Sequence, residues 1–244
     1  MTAIVIIPAR YDSTRFPGKP LCLLKGKPVI QHVYENSKLA CLADDVIVAT
    51  DSETIFERVL SFGGKAVMTD KAHLSGTDRI AEVAASMDYD IIVNVQGDEP
   101  LIRPEMIDDV ITLLDDKRAS IGTLAKKVED SKEITDQNVV KVVFDKDWFA
   151  LYFSRAPIPF HARHASRVTR HCYKHIGIYS YRRDVLLTLA KMDPAPLEQI
   201  EKLEQLRALE NGFRIKVKET FHETIGVDTP EDLERVERCL STSL

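Results

Sequence analysis

The sequence has little that would place the protein in a membrane or outside the cell. No apolar run approaches the roughly 18 residues that a bilayer-spanning helix needs. The four cysteines, Cys22, Cys41, Cys172 and Cys239, are scattered and form no CxxC pair, as is typical of thiols in a reducing compartment. The first residues lack the basic segment and long apolar stretch of a signal peptide. We therefore expect a cytoplasmic protein without membrane insertion.

The chain also lacks an excess of positive charge. It has 33 basic and 38 acidic side chains, and its formal net charge is −5. A broad nucleic-acid-binding surface normally requires a strongly basic balance. We therefore expect small molecules as partners, and no nucleic acid.

Apolar runs alternate with helical patterns through the first half of the chain. The 244 residues, 44% of them hydrophobic, suit one large globular domain. Uniformly apolar runs are typical of parallel strands buried on both faces. They lie at 3–7, 46–50, 65–68, 90–95 and 119–125. Apolar stripes predict helices after Pro28, around Ile55, around Ile80 and after Pro104. This alternation predicts an α/β fold with a Rossmann-like, three-layer arrangement and a mainly parallel sheet.

The pattern changes after about residue 138. Three apolar runs, at 139–144, 148–153 and 175–181, follow one another without a helical pattern of comparable length between them. They predict a β-rich extension around 139–181 within a single domain, 1–244.

Two further helices are predicted towards the end of the chain. An apolar stripe at helical spacing, formed by Ile200, Leu203, Leu206 and Leu209, predicts one continuous helix that stops at Asn211-Gly212. The last helix is predicted to begin with Thr229 as N-cap, Pro230 in the first turn and Asp232 at the capping-box position.

The loop after the first strand is basic although the protein is acidic. Residues 8–20 contain neither GxxxxGK[ST] nor GxGxxG, but they include Arg10, Arg15 and Lys19, with Gly18 allowing close backbone approach. Ligands of open parallel sheets bind at the carboxyl ends of the strands, where this loop lies. Cations at that edge suit a polyphosphate. A solvated loop without a ligand is the alternative, and spacing alone does not separate the two.

Two aspartates are predicted at the same edge of the sheet. Asp98, followed by Glu99, comes after the apolar strand at 90–95, and Asp228 precedes the last helix. Magnesium on a nucleotide needs only one or two protein carboxylates, because it keeps water and phosphate ligands. Ordinary turn chemistry explains each aspartate by itself. Together with the cationic loop, they predict a metal–phosphate site.

The stretch 154–183 is a basic tract with seven cations and no carboxylate. Such a local field attracts a small anion, for example a sugar acid. RNA is a competing interpretation, which the short tract and the acidic remainder disfavour. A zinc site made of His161, His164, Cys172 and His175 is another, which the neighbouring cations disfavour. We expect His175, on a strand, to face a substrate.

Eight short blocks in order run through nearly the whole chain. They are IIPARYDSTRFPGKPL (6–21), VATD (48–51), SGTDR (75–79), VNVQGDEP (93–100), ALYFSRAPIP (150–159), HIGIY (175–179), LEQLR (203–207) and GVDTPEDLERV (226–236). Together they resemble the 3-deoxy-manno-octulosonate cytidylyltransferase family, the CMP-Kdo synthetases of lipopolysaccharide assembly. Eight blocks in order are far more specific than any one of them.

This resemblance implies transfer of CMP from CTP to the sugar acid 3-deoxy-D-manno-octulosonate (Kdo), with release of pyrophosphate. It also implies a nucleotidyltransferase fold, a homodimer formed through the β-rich element, and Mg²⁺ held by Asp98 and Asp228. The implied nucleotide-binding residues are Pro8, Ala9, Arg10, Arg15, Lys19, Ser75, Gly76 and Arg79. The implied sugar-binding residues are Gln96, Arg155, His175, Tyr179, Glu204 and Gln205. The implied catalytic residues are Lys19, Asp98, Asp228 and Arg10.

The resemblance leaves the acceptor open between close analogues. An 8-amino Kdo analogue and a sialic acid would both suit the same cytidylyl chemistry, although the blocks HIGIY and LEQLR resemble those of the Kdo enzymes. A non-catalytic nucleotide-binding module is a further alternative, for which the two aspartates would be dispensable. His161 and His164 lie outside the blocks, and the resemblance gives them no role.

Overall fold

A computed structural model of the chain describes residues 1–12, 16–73, 75–160 and 172–242. Its internal contacts divide the chain into two compact units. The first unit comprises Met1–Asp108 and Glu223–Leu244, and the second comprises Asp109–His222. The single domain with a β-rich extension around 139–181 stays a prediction.

The described residues form strands and helices in alternation. The strands are β1 (Ala3–Ala9), β2 (Leu23–Leu24), β3 (Lys27–Pro28), β4 (Asp45–Thr50), β5 (Ala66–Met68), β6 (Ile91–Asn94), β7 (Ile121–Lys127), β8 (Lys141–Phe144), β9 (Ala150–Ser154), β10 (Tyr173–Arg182) and β11 (Ile215–Glu219). The α-helices are α1 (Val29–Ser37), α2 (Glu53–Ser61), α3 (Gly76–Ala85), α4 (Pro104–Thr112), α5 (Lys132–Thr135), α6 (Arg183–Leu189), α7 (Pro196–Glu201), α8 (Gln205–Glu210) and α9 (Pro230–Thr242). Short 3-10 turns lie at Lys19–Leu21 and Leu113–Asp115.

A parallel sheet organises the first unit. Its strands follow the order β6-β1-β4-β5, and α1, α2 and α3 pack against them. All seven residues of β1 are buried. Strands enclosed on both faces need apolar side chains pointing both ways, which is why their sequences are uniformly apolar. The predicted α/β fold class with a mainly parallel sheet is confirmed.

The C-terminal segment completes the core of the first unit. Val227 and Val236 are fully buried against Leu24 and Val29, far away in the sequence. None of the helices described is both long and apolar enough to cross a bilayer.

The start of α9 agrees with its predicted capping box. Thr229 Oγ1 accepts a hydrogen bond from the Asp232 backbone N–H at 3.3 Å, and Asp232 Oδ2 accepts one from the Thr229 backbone N–H at 3.0 Å. Pro230 is the first helical residue, where its missing N–H costs nothing. These bonds fix the chain direction immediately after Asp228.

The second unit is a mixed sheet. β7 pairs with β11 in parallel and with β10 in antiparallel orientation. β10 also pairs with β8, and β8 with β9, both antiparallel. The three strands predicted from the apolar runs at 139–144, 148–153 and 175–181 are therefore confirmed as β8, β9 and β10.

The single helix predicted over the leucine-rich stripe is wrong. The structure has two short helices, α7 and α8, because Lys202 adopts a left-handed conformation with φ of 56°. Leu203 and Leu206 are buried as predicted, whereas Ile200 is 75% exposed. The guanidinium of Arg155 donates to the backbone carbonyls of Glu201 and Lys202, and these bonds stabilise the interruption.

Candidate active site

A cleft of about 260 Å³ lies in the first unit, beside the carboxyl ends of β1 and β6. Predicted site residues that are distant in the sequence line it together: Pro8, Ala9, Arg10, Lys19, Ser75, Gly76, Arg79, Gln96, Asp98 and Asp228. Arg15, predicted beside them, lies outside the described residues. The sheet-edge rule predicted Arg10, Lys19, Asp98 and Asp228 at one edge, and all four line this cleft. The other lining residues were implied by the family resemblance, and the individual roles of all of them stay predictions.

Two glycines shape the walls of this cleft. Gly18 has φ of 71° and its N–H donates to the Tyr11 carbonyl at 2.8 Å, which turns the loop so that Lys19 reaches the cleft. A Cβ at Gly97 would lie 2.7 Å from the Pro8 carbonyl oxygen. Glycine is therefore required where the loop after β6 approaches the end of β1.

Lys19 connects the two predicted metal ligands. Its ammonium contacts Asp98 Oδ2 and lies 2.9 Å from Asp228 Oδ1. Burial by itself would lower the pKa of Lys19, but the two carboxylates outweigh that effect and raise the pKa above its ordinary value. The Val227 N–H donates to the Asp98 carbonyl at 2.8 Å and so holds Asp228 beside Asp98.

The donor set fits magnesium. Because Asp98 and Asp228 contact the same ammonium, their carboxylates face a common point. Among the described residues, no group of three or more His, Cys, Asp or Glu side chains could hold a metal ion. An ion at this pair would need water and phosphate as its other ligands, which magnesium accepts and a structural zinc ion does not. His161 and His164, invoked for zinc, lie outside the described residues.

Glu99 directly follows Asp98 and is affected by the charges of both aspartates. Burial, reinforced by the charges of Asp98 and Asp228, raises the pKa of Glu99 to about 7. Its Oε2 is buried and accepts no hydrogen bond from the described part of the chain. Sequence position alone could not show that Asp98 lines the cleft and Glu99 does not, because both follow the same strand.

The N-terminus of α3 forms another wall. Ser75 is its N-cap and accepts a hydrogen bond from the Asp78 backbone N–H at 3.1 Å. The N-terminus of a helix favours an anion, because the helix dipole is positive at that end. Gly76 begins the helix. Two wall residues that the sequence did not single out are Asp12 and His73. His73 Nε2 lies 2.5 Å from Glu82 Oε2.

The predicted sugar-binding residues are divided between the units. Gln96 belongs to the first unit, and the second contains Arg155, His175, Tyr179, Glu204 and Gln205. The His175 ring lies 5.1 Å from the Phe153 ring and 5.2 Å from the Tyr179 ring, measured between centroids. Desolvation of the His175 ring lowers the pKa of His175 to about 3, so the imidazole is neutral at physiological pH.

Arg155 makes an extended set of bonds in the second unit. Its guanidinium donates to the carbonyls of Glu201 and Gln137, each at 2.9 Å, and to Lys202 at 3.4 Å. Its backbone N–H donates to the Glu201 carboxylate at 2.9 Å. The structure thus gives Arg155 a local supporting role, and its grip on a sugar carboxylate stays a prediction.

Comparison with known proteins identifies relatives of this chain. A family model described as cytidylyltransferase matches residues 4–221. The 3-deoxy-manno-octulosonate cytidylyltransferase of Geotalea uraniireducens is 56% identical, with 97% of this chain and 98% of the relative covered. The protein of that name from Thermodesulfovibrio yellowstonii is 52% identical, with 99% of both covered. A solved CMP:2-keto-3-deoxy-manno-octonic acid synthetase complexed with CTP matches over 100% of both chains, with a TM-score of 0.94 and 42% identity.

Proposed function

This chain belongs to the cytidylyltransferase family, and from that premise we propose that it transfers CMP from CTP to Kdo for lipopolysaccharide biosynthesis. The products are CMP-Kdo and pyrophosphate. The observation that carries the proposal is that Arg10 and Lys19 line the same cleft as Asp98 and Asp228. Relatives covering nearly the whole chain, named for this activity, support the same conclusion.

The cleft residues act by positioning and charge. The triphosphate of CTP lies against Arg10, Lys19 and the N-terminus of α3, where two cations and the positive end of the helix dipole complement its negative charge. A Kdo hydroxyl attacks the α-phosphorus in line, the P–O bond to the leaving pyrophosphate breaks, and the hydroxyl proton passes to solvent water. Holding the reactants in line and stabilising charge on the leaving group dominate such transfers.

We propose Mg²⁺ as the cofactor, with Asp98 and Asp228 as its protein ligands. When bound, it would supply charge neutralisation on the phosphates and greater acidity of the attacking hydroxyl. Asp98 and Asp228 themselves would hold the ion at the edge of the sheet. Arg155, His175, Tyr179, Glu204, Gln205 and Gln96 are the proposed contacts of the sugar acid.

Pyrophosphate release tests this function directly. The purified chain would be incubated with CTP and, in parallel, Kdo, its 8-amino analogue or a sialic acid, each with and without Mg²⁺. We expect magnesium-dependent release with Kdo. Faster turnover of another acceptor would redirect the proposal to that acceptor, and no release with any of them would contradict it.

We further propose a cytoplasmic homodimer. All four cysteines lie in the described part of the chain and none forms a disulfide, which suits a reducing compartment. In the second unit, Leu151, Phe160 and Ile200 are 61%, 89% and 75% exposed, and a second copy of the chain would cover such side chains. Light scattering after size exclusion should give twice the mass of the chain, and Leu151→Lys should reduce it.

A further inference from the structure

One ammonium group occupies the point at which the two proposed metal ligands converge. Lys19 Nζ contacts Asp98 and lies 2.9 Å from Asp228, and the Lys19 side chain is only 15% exposed. The contacts join residues that are 79 and 209 positions apart. They are therefore built by the fold of the first unit and are not a local feature of the loop.

We propose that Lys19 is the resident counter-cation of this carboxylate pair and that it opposes divalent-cation binding until a nucleoside triphosphate draws the ammonium away. The inference rests on the proposed function, because it assigns the order of events at the same site. A divalent ion on the pair would lie within a few ångströms of a positive charge in a partly buried place, where repulsion is strong.

The side chain of Lys19 allows such an exchange. Lysine carries its charge on a flexible four-carbon stem, so the ammonium can move to a phosphate while the backbone stays in place. The Lys19 backbone lies in the 3-10 turn that follows Gly18, on the wall of the cleft that the triphosphate would occupy. Triphosphate oxygens would replace the carboxylates as partners of Lys19, and a divalent cation would replace Lys19 as partner of the carboxylates.

This exchange makes metal and nucleotide bind cooperatively. Bound triphosphate draws the Lys19 ammonium away and so removes its repulsion of the metal. Bound metal replaces Lys19 at the carboxylates and so releases the ammonium for the phosphates. The coupling free energy between the two ligands is the same whichever binds first. The free protein would keep its two carboxylates together without a metal. The protein would then bind the metal mainly when CTP is also bound.

The test measures Mn²⁺ binding to the free full-length chain by electron paramagnetic resonance, without nucleotide or sugar. We expect Lys19→Met to bind Mn²⁺ at least about tenfold more tightly than the native chain. Lys19→Gln is a second neutral variant, which keeps a hydrogen-bond donor beside the carboxylates. Lys19→Arg keeps the charge and should bind as weakly as the native chain. Circular dichroism would confirm that each variant is folded.

Two controls locate the effect. Arg10→Met removes a positive charge from the same cleft and leaves the Lys19 contacts in place, so it should change Mn²⁺ affinity by no more than about threefold. Adding Asp98→Asn to Lys19→Met should abolish the gain. Equal Mn²⁺ affinity in the native chain and both neutral variants would overturn the inference. An equal gain in Arg10→Met would also overturn it, because the overall positive charge of the cleft, and not the position of Lys19, would then be the cause.

The outcome is independent of the turnover assay. Because the binding experiment contains neither CTP nor Kdo, a failure of pyrophosphate release would contradict the proposed reaction and leave the Lys19 result standing. Normal turnover with unchanged Mn²⁺ affinities would overturn only the role of Lys19.

Discussion

Asp51 holds the guanidinium of Arg79 at 2.6 Å, and the Arg79 side chain is only 3% exposed. A second bond joins Arg79 to Thr69. Asp51 follows β4 and Thr69 follows β5, so these bonds tie α3 to the carboxyl edge of the parallel sheet. Arg79 therefore stabilises the wall of the cleft to which Ser75 and Gly76 belong.

Asp51→Asn should strongly destabilise the protein. It leaves a buried guanidinium without its charged partner, which typically costs about 3 kcal/mol in the free energy of unfolding. Urea denaturation followed by circular dichroism measures this change. Glu35→Gln is the control, because the Lys27–Glu35 pair is exposed and should contribute less than about 1 kcal/mol. Similar losses in both variants would show that burial of Arg79 is not the cause.

Asp98→Asn should reduce turnover at least about a hundredfold while CTP binding is mostly retained. The substitution keeps the size of the side chain and removes half of the proposed metal-binding charge. Steady-state pyrophosphate release gives kcat, and calorimetry with CTP gives Kd. Glu105→Gln, an exposed change at the start of α4, is the control and should leave both values unaltered. A fully active Asp98→Asn protein would exclude the proposed metal role.

Glu198→Gln should make the stability of the protein less sensitive to acid. Glu198 accepts hydrogen bonds from Arg207 at 2.6 and 2.8 Å; burial alone would raise its pKa, but these bonds hold the pKa below its ordinary 4.5. A lowered pKa stabilises the fold fully above 4.5 and progressively less as the pH falls through the folded value. Urea unfolding at about pH 7 and about pH 3.5 measures the effect. An unchanged pH dependence in Glu198→Gln would contradict it.

His175 should stay neutral well below its ordinary pKa of 6.5. The imidazole C–H resonances should not shift between about pH 8 and pH 5, because the folded pKa is about 3. The depressed pKa also means that stability is lost as the pH falls below 6.5, since the unfolded chain takes up a proton that the folded chain excludes. His175→Gln should remove that part of the acid sensitivity, which begins near pH 6.5, whereas the loss due to Glu198 begins only near 4.5. A normal imidazole titration would show that the ring is open to water.

Much of the fold could be predicted because its signals are local. The buried strands of the first unit have uniformly apolar sequences, and the capping box before α9 is complete within four residues, Thr229 to Asp232. The interruption at Lys202 could not be predicted, because the leucine stripe continues through it. It is stabilised by the guanidinium of Arg155, which is distant in the sequence and leaves no signature near Lys202.

Without the family resemblance, the residue pattern predicted the site only as a location. Because ligands bind at the ends of parallel strands, we predicted Arg10, Lys19, Asp98 and Asp228 at one edge of the sheet. The structure places all four in one cleft. It could not show that Lys19 contacts both aspartates, since such contacts depend on how the loops fold and not on spacing. The capture of Arg79 by Asp51 was missed for the same reason.

The division of the first unit between the two ends of the chain has a consequence for protein synthesis. A ribosome that has produced residues 1–108 has delivered β1, β4, β5, β6, Lys19 and Asp98, but not Asp228 or the valines that cover Leu24 and Val29. The second unit is contiguous, so all of its residues emerge before Glu223. Since domains generally fold as units during translation, the second unit can fold before the first unit has all of its residues. The cleft is therefore assembled only after Asp228 has been made.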